Sequence, residues 1–433
     1  MSDRKYTRSI RLLDELMHFG IKLGLERIDA LLSSLANPEE NLTVVHVAGT
    51  NGKGSTAAML ASVLTQSGYR TGLYTSPHLA AYTERISING RQIAEETFSE
   101  LLAEVVAKTE AVFLQTKEKP TEFEVLTAMA FLHFFREKTD IVVIEAGLGG
   151  DNDSTNIIAK PIISIITNVE LDHMVYLGPS IREIASRKAG VIKPGIPIVT
   201  ASDKIEALEV LHIRAREQKA ELHIVQEEMA WESVFSRGKF QSFSLKSKNI
   251  DYGCLDLPLL GEHQIINAAT AVLALEIMKN RGINLDASKI RQGLKKVCWP
   301  GRLEKLREDP CVIIDGAHNP AGMKALALWL KRYRDEYTKI IMIIGMLEDK
   351  DRKESIRMIE YLVDEVVITK VPSERSGNWQ ELGQFFPGKL QVQTEEDNKK
   401  AFAAALSKAE KSDLVIVAGS LYLIAEARKY FSK

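Results

Sequence analysis

The sequence contains few cysteines and no long apolar run. The three cysteines of this 433-residue chain, Cys254, Cys298 and Cys311, are too few and too far apart for a disulfide framework or a zinc site built from CxxC pairs. We therefore expect buried, reduced cysteines. The first residues, MSDRKYTRSIRLLDEL, lack the apolar core of a signal peptide, and no stretch reaches about 18 continuous apolar residues. These absences predict a cytoplasmic protein without a membrane span.

The sequence also lacks an excess of charge of either sign. Lys and Arg total 56, Asp and Glu total 58, and the formal net charge is -2. A polycationic surface for nucleic acid and an acidic tail are therefore not expected. Hydrophobic residues (45%) and charged residues (26%) are at average levels, which excludes general disorder, collagen and coiled coil. The composition favours a folded protein of two domains that acts on small molecules rather than on nucleic acids or membranes.

Short β-branched runs alternate with helical segments over most of the chain. This alternation predicts an α/β fold with parallel strands and crossover helices. We expect an N-terminal P-loop ATPase-like parallel-sheet domain, residues 1–298, and a C-terminal Rossmann-like domain, residues 299–433. Segment 206–243 predicts a helix and edge strands that complete the first domain. The predicted strands are 43–47, 71–74, 141–144, 162–166 and 198–200 in the first domain, and 311–314, 339–344, 365–369 and 413–418 in the second.

A glycine-rich run, Gly49-Thr-Asn-Gly-Lys-Gly-Ser55, directly follows the first predicted strand. Its glycines allow backbone N–H groups to turn toward a polyphosphate, the following helix adds a partial positive charge, and Lys53 can reach the terminal phosphates. Gly54 follows the lysine, which departs from the commonest P-loop. A glycine-rich turn without a ligand is the alternative. The order of strand, glycines, lysine, hydroxyl and helix favours phosphate binding.

Acidic and imidazole side chains stand at the ends of two further strands. Glu145 ends one strand, and Asp172 and His173 follow the next. Ligands of open α/β sheets bind at the carboxyl ends of strands, where a carboxylate can hold Mg²⁺. If the two strands are neighbours, Asp172 and His173 emerge beside Glu145. A lone histidine at a strand end is more often a plain loop residue, but its occurrence with a P-loop and a strand-end carboxylate favours a metal site.

Motifs spread over nearly the whole chain resemble the folylpolyglutamate synthase and dihydrofolate synthase branch of the Mur ligase superfamily. The motifs are LGLER (23–27), HVAGTNGKGST (46–56), TSPHL (75–79), ERI (84–86), TEFE (121–124), EAGLGGDNDSTN (145–156), ITNVELDH (166–173), RKAGVIKPG (187–195), GEHQIINAATA (261–271), PGRLE (300–304), DGAHNP (315–320) and GSLYLIAEAR (420–428).

The resemblance implies an ATP-dependent ligase. Such an enzyme phosphorylates the carboxylate of a dihydropteroate or reduced folate with MgATP, and the amino group of L-glutamate then captures the acyl phosphate, giving an amide, ADP and phosphate. This order is chemically sound, because a carboxylate is a poor electrophile until one oxygen becomes a phosphate leaving group. Two alternatives remain: another Mur-type amino-acid ligase, and a P-loop ATPase that acts as a conformational switch. The resemblance favours a monomer.

The resemblance also implies roles for individual residues. Lys53, Lys188 and His318 would be catalytic, and Lys188 would carry a CO₂-derived carbamate that completes a second Mg²⁺ site. Ser76, Glu145 and His173 would hold magnesium, with Ser55 a weaker candidate. The nucleotide would contact Asn51, Gly52, Lys53, Gly54, Ser55, Asn267, Arg302 and Asp315. The pteroate-type substrate would contact Gly24, Leu25, Glu26, Arg27, Thr121, Glu122, Phe123, Glu124, Asn152, Asp153 and Ser154.

One residue departs from the family pattern. The family usually has an arginine directly after GLGG, whereas this chain has Asp151. The charge is therefore reversed beside the expected substrate groove. This departure bears on the substrate preference more than on the reaction, because Glu145 and Asp153 are present.

Overall fold

Two units make up the part of the chain that can be described. The computed structural model of this protein describes residues 2–17, 20, 22–237, 240–388 and 390–432. The first unit comprises Met1–Glu232, Phe243–Asp256 and Ile266–Val297, and the second comprises Ser233–Ser242, Leu257–Ile265 and Cys298–Lys433. The limits 1–298 and 299–433 remain a prediction. Among the residues described, no helix combines the length and the apolar character that a membrane crossing requires.

Helices and strands alternate along the chain. The helices in the described residues are α1 (Ser2–Met17), α2 (Glu26–Ser33), α3 (Lys53–Gln66), α4 (Glu95–Val106), α5 (Thr109–Thr116), α6 (Glu122–Arg136), α7 (Met174–Leu177), α8 (Ile181–Lys188), α9 (Ile205–Glu217), α10 (Val225–Glu228), α11 (Glu262–Asn280), α12 (Ala287–Lys296), α13 (Pro320–Tyr333), α14 (Arg352–Arg357), α15 (Asn398–Lys408) and α16 (Leu421–Phe431). The strands are β1 (Val44–Ala48), β2 (Thr71–Tyr74), β3 (Ile86–Ile88), β4 (Arg91–Gln92), β5 (Ile141–Glu145), β6 (Ile163–Ile166), β7 (Ile198–Thr200), β8 (Leu222–Ile224), β9 (Met229–Arg237), β10 (Phe240–Ser247), β11 (Asp251–Leu257), β12 (Glu304–Arg307), β13 (Cys311–Ile314), β14 (Ile340–Ile344), β15 (Glu365–Thr369), β16 (Gln391–Glu395) and β17 (Leu414–Ala418).

A sheet in the order β4-β3-β2-β5-β1-β6-β7-β8 forms the first unit. The pairs from β2 to β8 are parallel, and β3 and β4 add an antiparallel edge. Strand β1, which precedes the glycine-rich run, lies between β5 and β6. Every residue of β1 and β5 is buried, as expected of strands covered on both faces. The loops that follow β2, β5, β1 and β6 therefore meet at one edge of the sheet.

The order of these strands corrects one expectation. Asp172 and His173 were expected beside Glu145 only if β5 and β6 are neighbours, and this condition is wrong. Strand β1 lies between them and pairs with both. Because neighbouring strands lie about 4.8 Å apart, two spacings, roughly 10 Å, separate β5 from β6. The neighbour of β5 on its other side is β2, whose following loop carries Ser76.

Hydrophobic clusters among the described residues stabilise the first unit. One contains residues of α1, α2, α4 and α6, including Leu31 and Phe131, and another contains residues of α8 and α9, including Ile184 and Leu211. Helix α6 begins with a capping box, in which the N–H groups of Glu124 and Thr121 each donate to the other residue's side chain. This reciprocal cap satisfies two backbone donors at the helix end.

The second unit has its own parallel-rich sheet. The strand order is β12-β13-β17-β14-β15-β16, with only the β12–β13 pair antiparallel. Strands β13, β14 and β17 are fully buried, and a separate core that includes Trp329, Met342 and Trp379 packs around them. Because β17 lies beside β13, the loops after these strands, DGAHNP and GSLYL, lie at one edge of this sheet.

The predicted α/β class is confirmed, and all nine predicted strands occur with ends within one residue. Two expectations are wrong. Segment 206–243 supplies one edge strand of the first sheet, β8, but β9 and β10 belong to a separate sheet in the order β11-β10-β9. Cys254 and Cys298 are exposed and only Cys311 is buried, because Cys254 lies on the edge strand β11 and Cys298 follows the end of α12.

Candidate active site

The glycine-rich loop between β1 and α3 is braced by the loop that follows β6. The hydroxyl of Thr167 donates to the carbonyl of Asn51 at 2.6 Å. The N–H of Asn51 donates to Asn168 Oδ1 at 2.8 Å, and the N–H of Thr50 donates to Asn168 O at 3.0 Å. Two N–H groups of the loop are thus used within the protein. Amides further along the chain are therefore the candidate donors for an anion.

Those amides belong to the first turn of α3. The first N–H groups of a helix have no acceptor within the helix and carry a partial positive charge, which in α3 applies to Lys53, Gly54 and Ser55. Gly52, just before them, has a left-handed φ of 81°. A Cβ at this position would lie 2.4 Å from Asn267 Oδ1, so only glycine allows Asn267 to approach the loop. A glycine-rich turn that leads into a helix N-terminus is a candidate phosphate site.

Two lysines contact the same carbonyl of this loop. Lys53 Nζ donates to Gly49 O at 3.2 Å, and Lys188 Nζ donates to it at 2.7 Å. Lys188 is 2% exposed. Burial, followed by the charge of Lys53, lowers the pKa of Lys188 to about 7, although Asp172 and Asp153 oppose this change. A substantial fraction of this amine is therefore neutral at neutral pH.

Glu145 and Ser76 are brought together at the ends of β5 and β2. The N–H of Ser76 donates to Glu145 Oε2 at 3.1 Å, and Glu145 is buried. His173 caps α7 with a left-handed φ of 51°, and its N–H donates to Asp172 Oδ1 at 2.8 Å. In the described ranges, no group of three or more His, Cys, Asp and Glu side chains could hold a metal. Nucleotide-bound Mg²⁺ needs only one or two carboxylates besides phosphate and water, so Ser76 and Glu145 fit such an ion.

Asp153 organises the loop that follows β5. Its carboxylate accepts from the N–H of Leu148 at 2.6 Å, from the N–H of Thr155 at 3.0 Å and from the hydroxyl of Thr155 at 2.6 Å. Burial raises the pKa of Asp153, and these hydrogen bonds oppose the rise. The carboxylate also caps the short 3-10 helix Ser154–Ile157. These hydrogen bonds join Leu148 and Thr155 of the loop through one buried carboxylate.

The same loop is joined to the end of α8. Arg187 Nη1 donates to Asp151 Oδ2 at 2.9 Å, and the N–H of Asp151 donates to Arg187 O at 2.8 Å. The Asn156 amide donates to Asp151 O at 3.0 Å. The residue that departs from the family pattern therefore has a charge partner, and this partner directly precedes Lys188.

The segments predicted to bind substrate converge on this loop. The N–H of Gly24 donates to Asn152 O at 3.2 Å. Arg27 Nε donates to Glu124 Oε1 at 3.1 Å, and both side chains are buried. This ion pair therefore holds α2 against α6. Such a pair is costly to break, because an uncompensated buried charge would remain.

The remaining residues of these segments lie around the pair. Leu25 and Glu26 begin α2. Glu122 Oε1 lies 3.4 Å from Arg85 Nη2. The ring of Phe123 packs against Gly147, where a Cβ would lie 2.6 Å from the ring. The predicted substrate residues thus come from neighbouring segments of one unit.

In the second unit, Asp315 ties two loop segments together. Its carboxylate accepts from the N–H of Leu303 at 2.8 Å and from the N–H of Ala317 at 2.9 Å. Burial raises the pKa of Asp315, and the charge of Arg302 opposes this rise. His318 Nδ1 lies 2.8 Å from Gly316 O, so this nitrogen carries the proton. Arg302, Asp315 and His318 are gathered at the carboxyl end of β13.

Comparison with known proteins identifies the family. Residues 47–275 match the Mur ligase middle domain, and residues 301–421 match the Mur ligase glutamate ligase domain. The chain belongs to the Mur ligase family. The dihydrofolate synthase/folylpolyglutamate synthase of Bacillus subtilis is 36% identical over 416 residues, which cover 95% of this chain and 96% of that protein. The folylpolyglutamate synthase of Lacticaseibacillus casei is 36% identical over 93% of both chains.

Solved structures of Mur ligases show the same fold. The Mycobacterium tuberculosis folylpolyglutamate synthase complexed with ADP and AMPPCP has a TM-score of 0.92 and 32% identity, and the match covers 100% of this chain and 99% of that one. The Escherichia coli FolC in complex with DHPP and ADP has a TM-score of 0.86 and 29% identity over 97% of both chains. These matches confirm the resemblance seen in the sequence and the assignment as an ATP-dependent ligase of the dihydrofolate synthase and folylpolyglutamate synthase type.

Several residues of this Mur ligase site were not singled out from the sequence. Thr167 and Asn168 lie within the ITNVELDH motif, but their role in holding the glycine-rich loop, called the phosphate loop below, depends on β6 lying beside β1. The contact made by Arg187 could not be predicted for the same reason, since its partner Asp151 is 36 residues away. His46 had a signal, because it is the one polar residue of the strand VVHVA.

Proposed function

We propose that this enzyme joins L-glutamate to the carboxylate of a dihydropteroate or a reduced folate through an acyl phosphate. A carboxylate oxygen of the substrate attacks the γ-phosphorus of ATP and ADP leaves. The glutamate nitrogen then attacks the acyl carbon, phosphate leaves, and the nitrogen loses a proton. Both steps transfer a group at a crowded, highly charged centre, where positioned cations and N–H donors stabilise the transition state.

One observation carries this proposal: the end of α8 contacts both the phosphate loop and the candidate substrate loop. Lys188 Nζ donates to Gly49 O at 2.7 Å. One residue earlier, Arg187 O accepts from the N–H of Asp151 at 2.8 Å. A phosphate donor at the first loop and an acid at the second would therefore lie next to each other. This is the arrangement that direct phosphoryl transfer between them requires.

The residues of the first unit take distinct roles in this proposal. The amides of Lys53, Gly54 and Ser55 bind the phosphates, and Lys53 Nζ leaves the loop carbonyls to contact the terminal phosphate. Asp153 and Phe123 bind the pteroate ring. We assign the shaping of the phosphate loop to Asn51, Gly52 and Asn267. The N–H of Asn51 does not contact the phosphates, because it already donates to Asn168.

Ser76, Glu145 and His173 are the proposed magnesium ligands, and His173 would reach the ion from the loop after β6, on the other side of β1 from Glu145. A bound Mg²⁺ would neutralise charge on the phosphates. Lys188 would extend this set as a carbamate. Its neutral Nζ would form a bond to the carbon of CO₂ and release a proton, which would turn the neutral amine into an anionic oxygen ligand. The burial of Lys188 and the pKa of about 7 support this step, because only the neutral amine has the lone pair that reacts.

In the second unit, we assign Arg302 and Asp315 to the nucleotide and His318 to the transferred phosphate. Arg302 and Asp315 lie together at the end of β13, where ligands of parallel sheets bind. We further propose that the enzyme is a cytoplasmic monomer, as the family resemblance implies. Light scattering after size exclusion would give a mass near 48.3 kDa if it is a monomer.

A product assay tests the proposed function. ADP release is measured with ATP and L-glutamate plus either dihydropteroate or tetrahydrofolate, and the products are identified by mass spectrometry. We expect ADP release to require both the acid and glutamate, and one amide to form per ADP. Release of ADP without either co-substrate would indicate a P-loop switch. A requirement for a different acid would indicate another Mur-type ligase.

A further inference from the structure

A fully buried histidine lies at the centre of the first sheet, beneath the candidate substrate loop. His46 is the middle residue of β1 and has no exposed surface. Its Nε2 lies 2.8 Å from the hydroxyl oxygen of Thr155. That hydroxyl lies 2.6 Å from Asp153 Oδ1. His46, Thr155 and Asp153 thus form a chain of hydrogen bonds from the core of the sheet to the loop after β5.

The direction of these hydrogen bonds follows from the protons available. A carboxylate can only accept, and a hydroxyl has one proton. The Thr155 hydroxyl therefore donates to Asp153 and must accept from His46, which places a proton on Nε2. His46 Nδ1 then carries a lone pair, and this nitrogen is among the buried atoms of the described residues that lack a hydrogen-bond partner. The opposite direction would bury an unpaired N–H donor at Nδ1.

His46 is also held in its neutral form. Burial, followed by the charge of Lys193, lowers the pKa of His46 to about 3. Lys193 is fixed nearby by its bond to Asn156 O at 3.0 Å. The imidazole therefore does not change charge near neutral pH, and its Nε2–H is a constant donor to Thr155.

The chain of hydrogen bonds from His46 through Thr155 to Asp153, which we call the relay, determines which hydrogen bonds Asp153 can form with a ligand. Three donors, the N–H of Leu148 and the N–H and hydroxyl of Thr155, occupy three of the roughly four acceptor positions of a carboxylate. One position remains, on Oδ2. It can accept an N–H of a substrate ring only while Asp153 is ionised, and burial favours the protonated acid. A donor that polarises the Thr155 hydroxyl strengthens its bond to the carboxylate.

We infer that His46 is a positioning residue, which acts through Thr155 to keep Asp153 ionised and oriented for the N–H groups of a pteroate-type ring. The inference rests on the proposed function, since it takes Asp153 as a contact of that substrate. His46 itself does not touch the substrate. Its effect should therefore appear in the affinity for the pteroate-type acid and not in nucleotide binding, although His46 is only three residues from Gly49.

The test uses the full-length enzyme and two pairs of variants. His46→Leu removes the donor at similar volume, and His46→Gln retains an N–H at the position of Nε2. Thr155→Val removes the hydroxyl without changing the shape, and Thr155→Ser retains it. KM for dihydropteroate and for tetrahydrofolate is measured at saturating ATP and glutamate. ADP affinity and the thermal unfolding midpoint are measured in parallel.

We expect His46→Leu and Thr155→Val each to raise KM for the pteroate-type acid about tenfold, the scale of a lost bond in a charged network. ADP affinity should change less than about twofold, and His46→Gln and Thr155→Ser should stay near wild type. Because His46 acts through Thr155, the double variant should be no worse than Thr155→Val alone. The inference would be overturned if the double variant multiplied the KM increases of the two single variants. It would also be overturned if ADP affinity fell as much as KM for the acid rose.

Two further outcomes keep the test decisive. If His46→Leu does not fold, the Thr155 pair carries the same test, and a Thr155→Val enzyme with wild-type KM contradicts the relay. Asp153→Asn separates this inference from the proposed function: a wild-type KM in that variant removes Asp153 from the substrate site and overturns the inference, whereas the proposed function stands because the acid is still converted. A wild-type enzyme that converts neither acid overturns the proposed function before any variant is compared.

Discussion

At the scale of single residues, the protonation state of Lys188 is determined mainly by its burial. Its pKa is lowered from 10.5 to about 7, so between these two values the unfolded chain binds a proton that the folded protein does not. Stability therefore rises with pH across this window, by at most about 1.4 kcal/mol per pH unit. Below about pH 7 both states are protonated, and the full cost of the buried charge is present.

Lys188→Met tests this pH dependence. The variant has no titrating group at this position, so the wild type should gain stability relative to Lys188→Met as the pH rises from 7 to 9, by about 2 kcal/mol in total. Urea unfolding in CO₂-free buffer at each pH measures the difference. A difference that stays constant with pH would contradict the assigned pKa.

Thr167 allows a second prediction at this scale. Its hydroxyl donates to Asn51 O at 2.6 Å and thereby holds the phosphate loop. Thr167→Val keeps the shape and removes that donor, so we expect ADP to bind about 3- to 10-fold more weakly. Thr167→Ser, which keeps the hydroxyl, is the matched control. Calorimetric titration measures both, and equal affinity in Thr167→Val and wild type would argue against the brace.

At the scale of elements, α12 packs directly on the helix that begins at the phosphate loop. A Cβ on Gly293 would lie 2.4 Å from Val63 Cα and 2.8 Å from Val63 N. Backbone atoms cannot yield as a flexible side chain can, so Gly293→Ala should separate α12 from α3 and destabilise the protein by about 1–3 kcal/mol.

The control for this variant is Gly388→Ala, where a Cβ would meet nothing within 4 Å. Thermal unfolding followed by far-UV circular dichroism compares the two. We expect a clear fall in the midpoint for Gly293→Ala and almost none for Gly388→Ala. An equal midpoint in both would mean that α12 tolerates the added methyl group.

Elements were predictable where one residue pattern decides them. The apolar β-branched runs define β1, β5 and β14 without reference to the rest of the chain, and GTNGKGS defines the turn into α3. Strands β3, β4 and β16 are short or half exposed, so their apolar signal is weak. Strand order is not written in any local pattern, which is why the placement of β1 between Glu145 and His173 could not be foreseen.

At the scale of the whole molecule, the chain has separate cores. Trp329 and Trp379 lie in the core of the second unit, whereas described residues of the first unit form other clusters. Tryptophan fluorescence therefore reports mainly on the second unit, and circular dichroism reports on both. We expect the two urea unfolding curves not to coincide, since separate cores can unfold in separate steps. Coincident curves would show that the chain unfolds as one cooperative body.

The site was predictable in part at this scale. The residues proposed to carry the chemistry, such as Lys53, Glu145 and Lys188, lie in recognisable motifs. The residues that position them do not, because their roles arise from partners distant in sequence. His46 and Thr155 are 109 residues apart, and no spacing rule connects them.

The ion pair between Asp151 and Arg187 has a consequence for the history of the chain. The two side chains meet across 36 residues, so a charge reversal at one position leaves two like charges in contact unless the other reverses too. Relatives with a basic residue at the first position should therefore carry an acidic one at the second. The two sites would have exchanged signs together, as a covarying pair, while the loop and the helix that they join kept the same geometry.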